Sequence, residues 1–125
     1  MSNKTILVIE DEVALRGAIE GSLKKVGFNV VSADKVSSAL ELLDSTDDVA
    51  AIWLDHYLLG EENGLDFLQT VRADNRWKDM PVFVVTNSVS DSSFDTYALL
   101  GIKKYFVKSD NSLASIIQAI QNVVG

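Results

Sequence analysis

Five short apolar runs, each giving way to polar residues and each followed by a stretch of helical periodicity, constrain this chain more than any other feature. The runs are Thr5–Ile9, Phe28–Ser32, Val49–Leu54, Pro81–Val85 and Ile102–Val107. All are rich in β-branched or aromatic residues, and all but the mixed run at Phe28 are almost continuously apolar. Strands that read this way are covered on both faces, as in a parallel sheet. Between them, apolar residues recur at helical spacing. Leu15, Ala18, Ile19, Leu23 and Val26 share one face, with Gly27 where a C-terminal cap belongs. Val36, Ala39, Leu40 and Leu43 form a second stripe, and Leu65, Leu68 and Val71 a third behind Asn63-Gly64. Phe94, Tyr97 and Ala98 form a fourth, closed by Gly101. The clearest is the last, through Leu113, Ile116, Ile117, Ile120, Val123 and Val124. A βα unit repeated five times predicts an α/β fold, with a parallel sheet between two helical layers and right-handed crossovers.

In such a sheet the functional crevice lies beyond the carboxyl ends of the strands. The first strand ends in Glu10-Asp11-Glu12, the third in Asp55, the fourth in Thr86-Asn87 and the fifth in Lys108-Ser109-Asp110. The second offers only Ala33-Asp34. Carboxylates gathered at one edge repel one another, and a hard divalent cation with oxygen ligands, magnesium above all, resolves the conflict. Lys108 supplies a compact positive charge for a phosphate oxygen or a carboxylate, and Thr86 a hydroxyl donor. Together these parts suit an aspartyl-phosphate: a carboxylate nucleophile, a charge-neutralising metal and two donors to the transferred group. Singly, each has a plainer explanation. Acidic residues after a strand often cap the next helix, a lysine there is usually a solvated charge, and Thr86 is also a β-former. The weight lies in the set.

Composition narrows the alternatives. The 125 residues fit one domain, 1–125, with a 47% hydrophobic content sufficient for a core. The chain stops one residue after the last apolar stripe, so no attached effector domain is expected. Without cysteine there is no thiolate metal site or disulfide framework, and one histidine rules out a His-rich zinc site. A net charge of −7 argues against nucleic acid and against an anionic membrane surface as partners. No run is long enough to span a bilayer, and Met1-Ser2-Asn3-Lys4 has no signal-peptide layout, so a cytoplasmic location is expected.

The motifs resemble the CheY-like receiver domains of response regulators in two-component systems, over essentially the whole chain. Ile6–Glu12 is similar to the family's first strand with its acidic pair, and Ala51–Asp55 to its phosphoacceptor strand. Val82–Thr86 resembles the strand carrying the switch hydroxyl, and Gly101–Lys108 the one carrying the switch aromatic and the lysine. The resemblance implies a doubly wound (βα)5 fold with strand order 2-1-3-4-5. It implies that Asp55 takes a phosphoryl group from a histidine kinase or phosphotransfer protein, with Mg2+ held by Asp55, by Asp11 directly, by Glu10 through water and by the Tyr57 carbonyl. Lys108 and Thr86 would hold the phosphoryl oxygens. Thr86 and Tyr105 would then switch the face formed by the fourth helix, fifth strand and fifth helix, where a downstream effector docks. Such a domain is not an enzyme beyond its own phosphotransfer and autodephosphorylation.

The chain departs from the family pattern in several places. Ser109 follows Lys108 where a cis proline is usual; because a cis bond before a non-proline costs about 2.5–4 kcal/mol, a trans bond and a rebuilt loop are expected. Leu59 stands where proline is common, and the loop from Asp55 to Gly64 is one residue longer than usual. Asn87 and the bulky Tyr57 narrow access for water, which predicts a long-lived phosphoryl form. Strand alternation points His56 away from Asp55, into a packing or solvent-facing role, and puts Trp53 in the core beneath the site. Trp77 covers a helix end or is exposed; the sequence does not choose. Two rival functions stand beside the switch: a receiver-like interaction module that never carries phosphate, for which the Lys108-Ser109 junction speaks, and an aspartate-nucleophile phosphatase. The phosphatase would want Asp-x-Asp at the first strand. A flavodoxin or dinucleotide binder would need a phosphate-cradling glycine loop, which is missing.

Overall fold

The computed structural model describes residues 4–125; the reading of the amino terminus falls on Met1–Asn3, outside the described residues. Strands β1 (Thr5–Ile9), β2 (Asn29–Ala33), β3 (Val49–Leu54), β4 (Val82–Thr86) and β5 (Lys104–Val107) alternate with helices α1 (Val13–Lys25), α2 (Val36–Ser45), α3 (Gly64–Ala73), α4 (Asp91–Leu99) and α5 (Leu113–Val124). The strands are parallel and lie in the order β2-β1-β3-β4-β5, the doubly wound arrangement expected. Strand order reverses at β1, and in sheets of this kind the functional position lies beyond the carboxyl ends of the strands at that reversal, here β1 and β3.

Alternation along each strand builds two cores. Ile6, Val8, Ala51, Trp53, Phe83, Val85 and Phe106 face α1 and α5. Leu7, Ile9, Ile52, Leu54, Val82 and Val84 face α2, α3 and α4. Both faces of β1 and β4 are buried along their whole length and β3 nearly so, which is why these strands read as unbroken apolar runs, whereas the edge strand β2 is half-exposed and reads as mixed.

Element boundaries depart from the sequence reading for local reasons. Pro81 has no N–H and stays outside β4, although its carbonyl accepts from the Ile52 N–H at 2.9 Å. Gly101, at φ 74°, turns the chain out of α4, and β5 begins only at Lys104 rather than Ile102. Gly27, at φ 101°, closes α1: its N–H donates to the Lys24 carbonyl and the Phe28 N–H to the Leu23 carbonyl. That paired bonding is a Schellman cap, with Phe28 and Leu23 in the same core. Side chains at the rims of the predicted stripes are outside the cores: Val26, Phe94 and Val123 are each 46% exposed. Trp77 packs partly buried against the α2–α4 core with Arg76 stacked on its ring at 4.0 Å, so it covers rather than projects.

Candidate functional site

The register of the sheet brings the strand ends into line. Ile9 pairs with Leu54, so Glu10 and Asp55 leave β1 and β3 side by side, and the Asp55 N–H donates to the Ile9 carbonyl at 3.0 Å. Thr86 pairs with Val107, which sets Lys108 one step beyond. Parity sorts the side chains: Glu10 follows Ile6 and Val8, Asp55 follows Ala51 and Trp53, and Lys108 follows Phe106, all on the α1–α5 face. Charged groups from three strands converge there.

Lys108 Nζ lies 2.8 Å from Asp55 Oδ2 and 2.7 Å from Glu10 Oε1. The first contact is a hydrogen bond; the second is an ion pair by distance but not by alignment, and no donor is aimed at Glu10 Oε1. The other oxygen, Oε2, accepts from the Glu12 N–H at 3.1 Å, and the Glu10 carbonyl accepts from Arg16 Nη1 at 3.0 Å. Burial pushes the Glu10 carboxyl up to about 7, reinforced by the charge on Asp55 and opposed by Lys108. Burial alone would lower the Lys108 ammonium, but its hydrogen bond to Asp55 and its close ion pair with Glu10 outweigh it and hold the group above its ordinary value. Oxygens of Glu10, Asp11 and Asp55 lie within 4.8 Å of one another, close enough to share one cation. Glu12 occupies the N-cap position of α1 without a side-chain cap bond, so the plain capping explanation does not account for that residue.

Thr86 is fully buried and its hydroxyl has no hydrogen-bond partner among the described residues. An orphaned hydroxyl at a strand end is costly unless something visits it. Tyr57 sets its backbone N–H 3.3 Å from Asp55 Oδ1. Its exposed side chain crosses to the β4–α4 loop, donating to the Ser88 carbonyl at 2.7 Å. Tyr105 donates to the adjacent Asn87 carbonyl at 3.2 Å, so two tyrosine hydroxyls hold one loop. The Lys108–Ser109 bond is trans, and residues Lys108–Asp110 form a 3₁₀ turn. Leu59, where proline is common, donates its N–H to the Asp34 carbonyl at 3.0 Å, a bond proline could not make.

His56 takes the packing role, not the solvent-facing one: it is 7% exposed and its Nδ1 lies 2.7 Å from the Tyr97 hydroxyl. Sequence reasoning took Tyr97 as one residue of a stripe and missed this polar partner. A buried-stripe tyrosine needing somewhere to put its hydroxyl was the available signal.

Against known proteins, the family model for the response regulator receiver domain matches residues 6–121. The chain is 33% identical over 104 residues to the chemotaxis protein CheY1 of Helicobacter pylori strain J99, across 82% of this chain and 83% of that one. It is also 33% identical over 106 residues to the chemotaxis protein CheY of Pseudomonas aeruginosa, across 82% of each. Among solved structures, a response regulator receiver protein from Pseudomonas putida superposes with a TM-score of 0.89 at 23% identity, covering 98% of both chains.

Proposed function

The chain belongs to the response regulator receiver domain family, and from that membership we propose that it is a single receiver module, residues 1–125, that accepts a phosphoryl group on Asp55 and switches a docking surface. One observation carries the reading: Glu10, Asp11 and Asp55 gather their oxygens closely enough to share one cation, with Lys108 against Glu10 and Asp55, while the Thr86 hydroxyl at the end of β4 is buried without a partner among the described residues.

The donor set fits Mg2+, since it is all oxygen and short of positive charge. Glu10, Asp11, Asp55 and the Tyr57 carbonyl would hold the ion, which when bound neutralises charge on the transferred group. The chain's own residues do the rest. An Asp55 carboxylate oxygen bonds to phosphorus as the bond from phosphorus to the donor's imidazole nitrogen breaks, and the imidazole leaves with the electron pair. Lys108, drawn from its carboxylate partners, holds one phosphoryl oxygen, and the Thr86 hydroxyl donates to another. Thr86 moving toward the phosphoryl group frees space for Tyr105, which lies against Phe94 of α4 with ring centroids 5.0 Å apart. The face of α4, β5 and α5 is then reset for a downstream partner, a population shift driven by the phosphoryl contacts.

The non-phosphorylated module loses ground because its one supporting feature, Ser109, leaves Lys108 bonded to Asp55. The deciding experiment is intact-protein mass after incubation with a small-molecule phosphodonor, with and without Mg2+. One phosphoryl group is expected on wild type with Mg2+ and none on Asp55→Ala; a wild type that gains no mass would overturn the reading.

A further inference from the structure

Helix α4 is held to the sheet in an unusual way. Among its described residues only Tyr97 is buried, and it is 0% exposed. The one deep anchor of this helix therefore carries a polar tip. That tip is received by a socket made for it. His56 Nδ1 lies 2.7 Å from the hydroxyl. Gly64, the first residue of α3, leaves the space: a Cβ added there would sit 2.5 Å from the Tyr97 hydroxyl and 2.7 Å from the Asp55 carbonyl oxygen. The Gly64 N–H donates to the His56 carbonyl at 2.9 Å, which fixes the socket's wall. The far side of Tyr97 faces Tyr105, ring centroids 6.4 Å apart. Arg72 meanwhile pins the other end of α4, donating to the Leu100 and Gly101 carbonyls at 2.7 and 3.3 Å.

We propose that His56 and Tyr97 form a buried positioning pair that keys α4 to the phosphoacceptor strand, so that α4 leaves its resting position only when the hydrogen bond between them breaks. His56 adjoins Asp55 in sequence but points through the opposite face of the sheet, so it touches no reacting atom. Its effect is exerted through Tyr97. The pair links the acceptor strand to α4 and Tyr105 by a route separate from Thr86. Its regulatory sense rests on the phosphoacceptor reading; its anchoring role does not.

The test is amide hydrogen exchange on the full chain without any phosphodonor, for wild type, Tyr97→Phe, His56→Leu, His56→Asn and the Tyr97→Phe, His56→Leu double variant. Removing the bond is expected to speed exchange in α4 and the β4–α4 loop about tenfold, as the loss of a buried hydrogen bond implies. The double variant should be no faster than either single one, and α1 and α5 should be unchanged. His56→Asn, whose amide can stand where Nδ1 stands, should restore near wild-type exchange. Unchanged α4 exchange, acceleration throughout the chain, or His56→Asn behaving like His56→Leu would each overturn the proposal. A second arm titrates beryllofluoride, a phosphoryl mimic, in Mg2+. Tyr97→Phe should bind it severalfold more tightly than wild type, because less opposes displacement of α4; equal affinity would overturn the coupling. A wild type that binds no beryllofluoride counts against the phosphoacceptor reading alone, and the exchange arm still decides the anchor.

Discussion

A single side chain, Arg72, shows how much of this molecule depends on individual contacts. Its guanidinium donates to the carbonyls of Leu100, Trp77, Met80 and Gly101, tying the end of α4 to the α3–β4 connection. Arg72→Met removes all four of these bonds and leaves the Trp77 carbonyl only the Met80 N–H, and a loss of about 2–3 kcal/mol is expected in urea unfolding. Arg72→Lys should fall between, since an ammonium cannot reproduce the fork. Tyr57 offers a test at the site itself. Its hydroxyl bond to the Ser88 carbonyl ties the segment after Asp55 to the β4–α4 loop. A phosphoryl lifetime well beyond seconds is expected, shortened severalfold in Tyr57→Ala; a wild-type half-life of seconds would refute it. These side chains were visible in the sequence as residue types only. Trp77 and Met80 lie 5 and 8 positions from Arg72, but Leu100, Gly101 and the Ser88 partner of Tyr57 lie 28 to 31 positions away, and no local pattern points to them.

Among the elements, α3 and α5 are begun by side chains that satisfy their exposed N–H groups. Asn63 accepts from the Asp66 N–H at 3.1 Å while Asp66 accepts from the Asn63 N–H at 2.8 Å, a reciprocal capping box. Ser112 accepts from the Ser115 N–H at 3.1 Å. Asn63→Ala and Ser112→Ala are each expected to cost about 1 kcal/mol in thermal unfolding; Asn63→Ala removes only the side-chain half of the box, because the backbone N–H of residue 63 still donates to Asp66. How legible an element was depended on how it is buried. Helix α5 presents Ile116, Ile117, Ile120 and Val124 to the core, and its stripe could be read outright. Helix α4 buries only Tyr97, so a stripe including Phe94 and Ala98 overstated its inner face. Strands β1, β3 and β4 read well because both their faces are buried.

At the scale of the whole molecule, the site sets the terms of stability. Without a divalent cation, Glu10 holds its proton to about pH 7, whereas its ordinary value is 4.5. Between those values the folded protein binds a proton that the unfolded chain has released, so this group's contribution to stability falls as pH rises through the window. Urea titrations in chelator should show that fall, reduced in Glu10→Gln. On the proposed reading, Mg2+ held by the carboxylates of Glu10, Asp11 and Asp55 would oppose the same crowding of negative charge. It should raise Tm more at pH 8 than at pH 5, and less in Asp11→Asn.

The sequence by itself determined the class of fold, because apolar runs and helical stripes respond to burial, and burial follows a period of two in strands and 3.6 in helices. It also determined which residues stand at the strand ends, since that requires only knowing where each strand stops. Tertiary structure alone decided what those residues meet. The parallel register placed Lys108 between Glu10 and Asp55, left the Thr86 hydroxyl without a partner among the described residues, and turned His56 through the sheet onto Tyr97. Contacts between residues 41 or 53 positions apart depend on how the strands are stacked, and no periodicity along the chain records that.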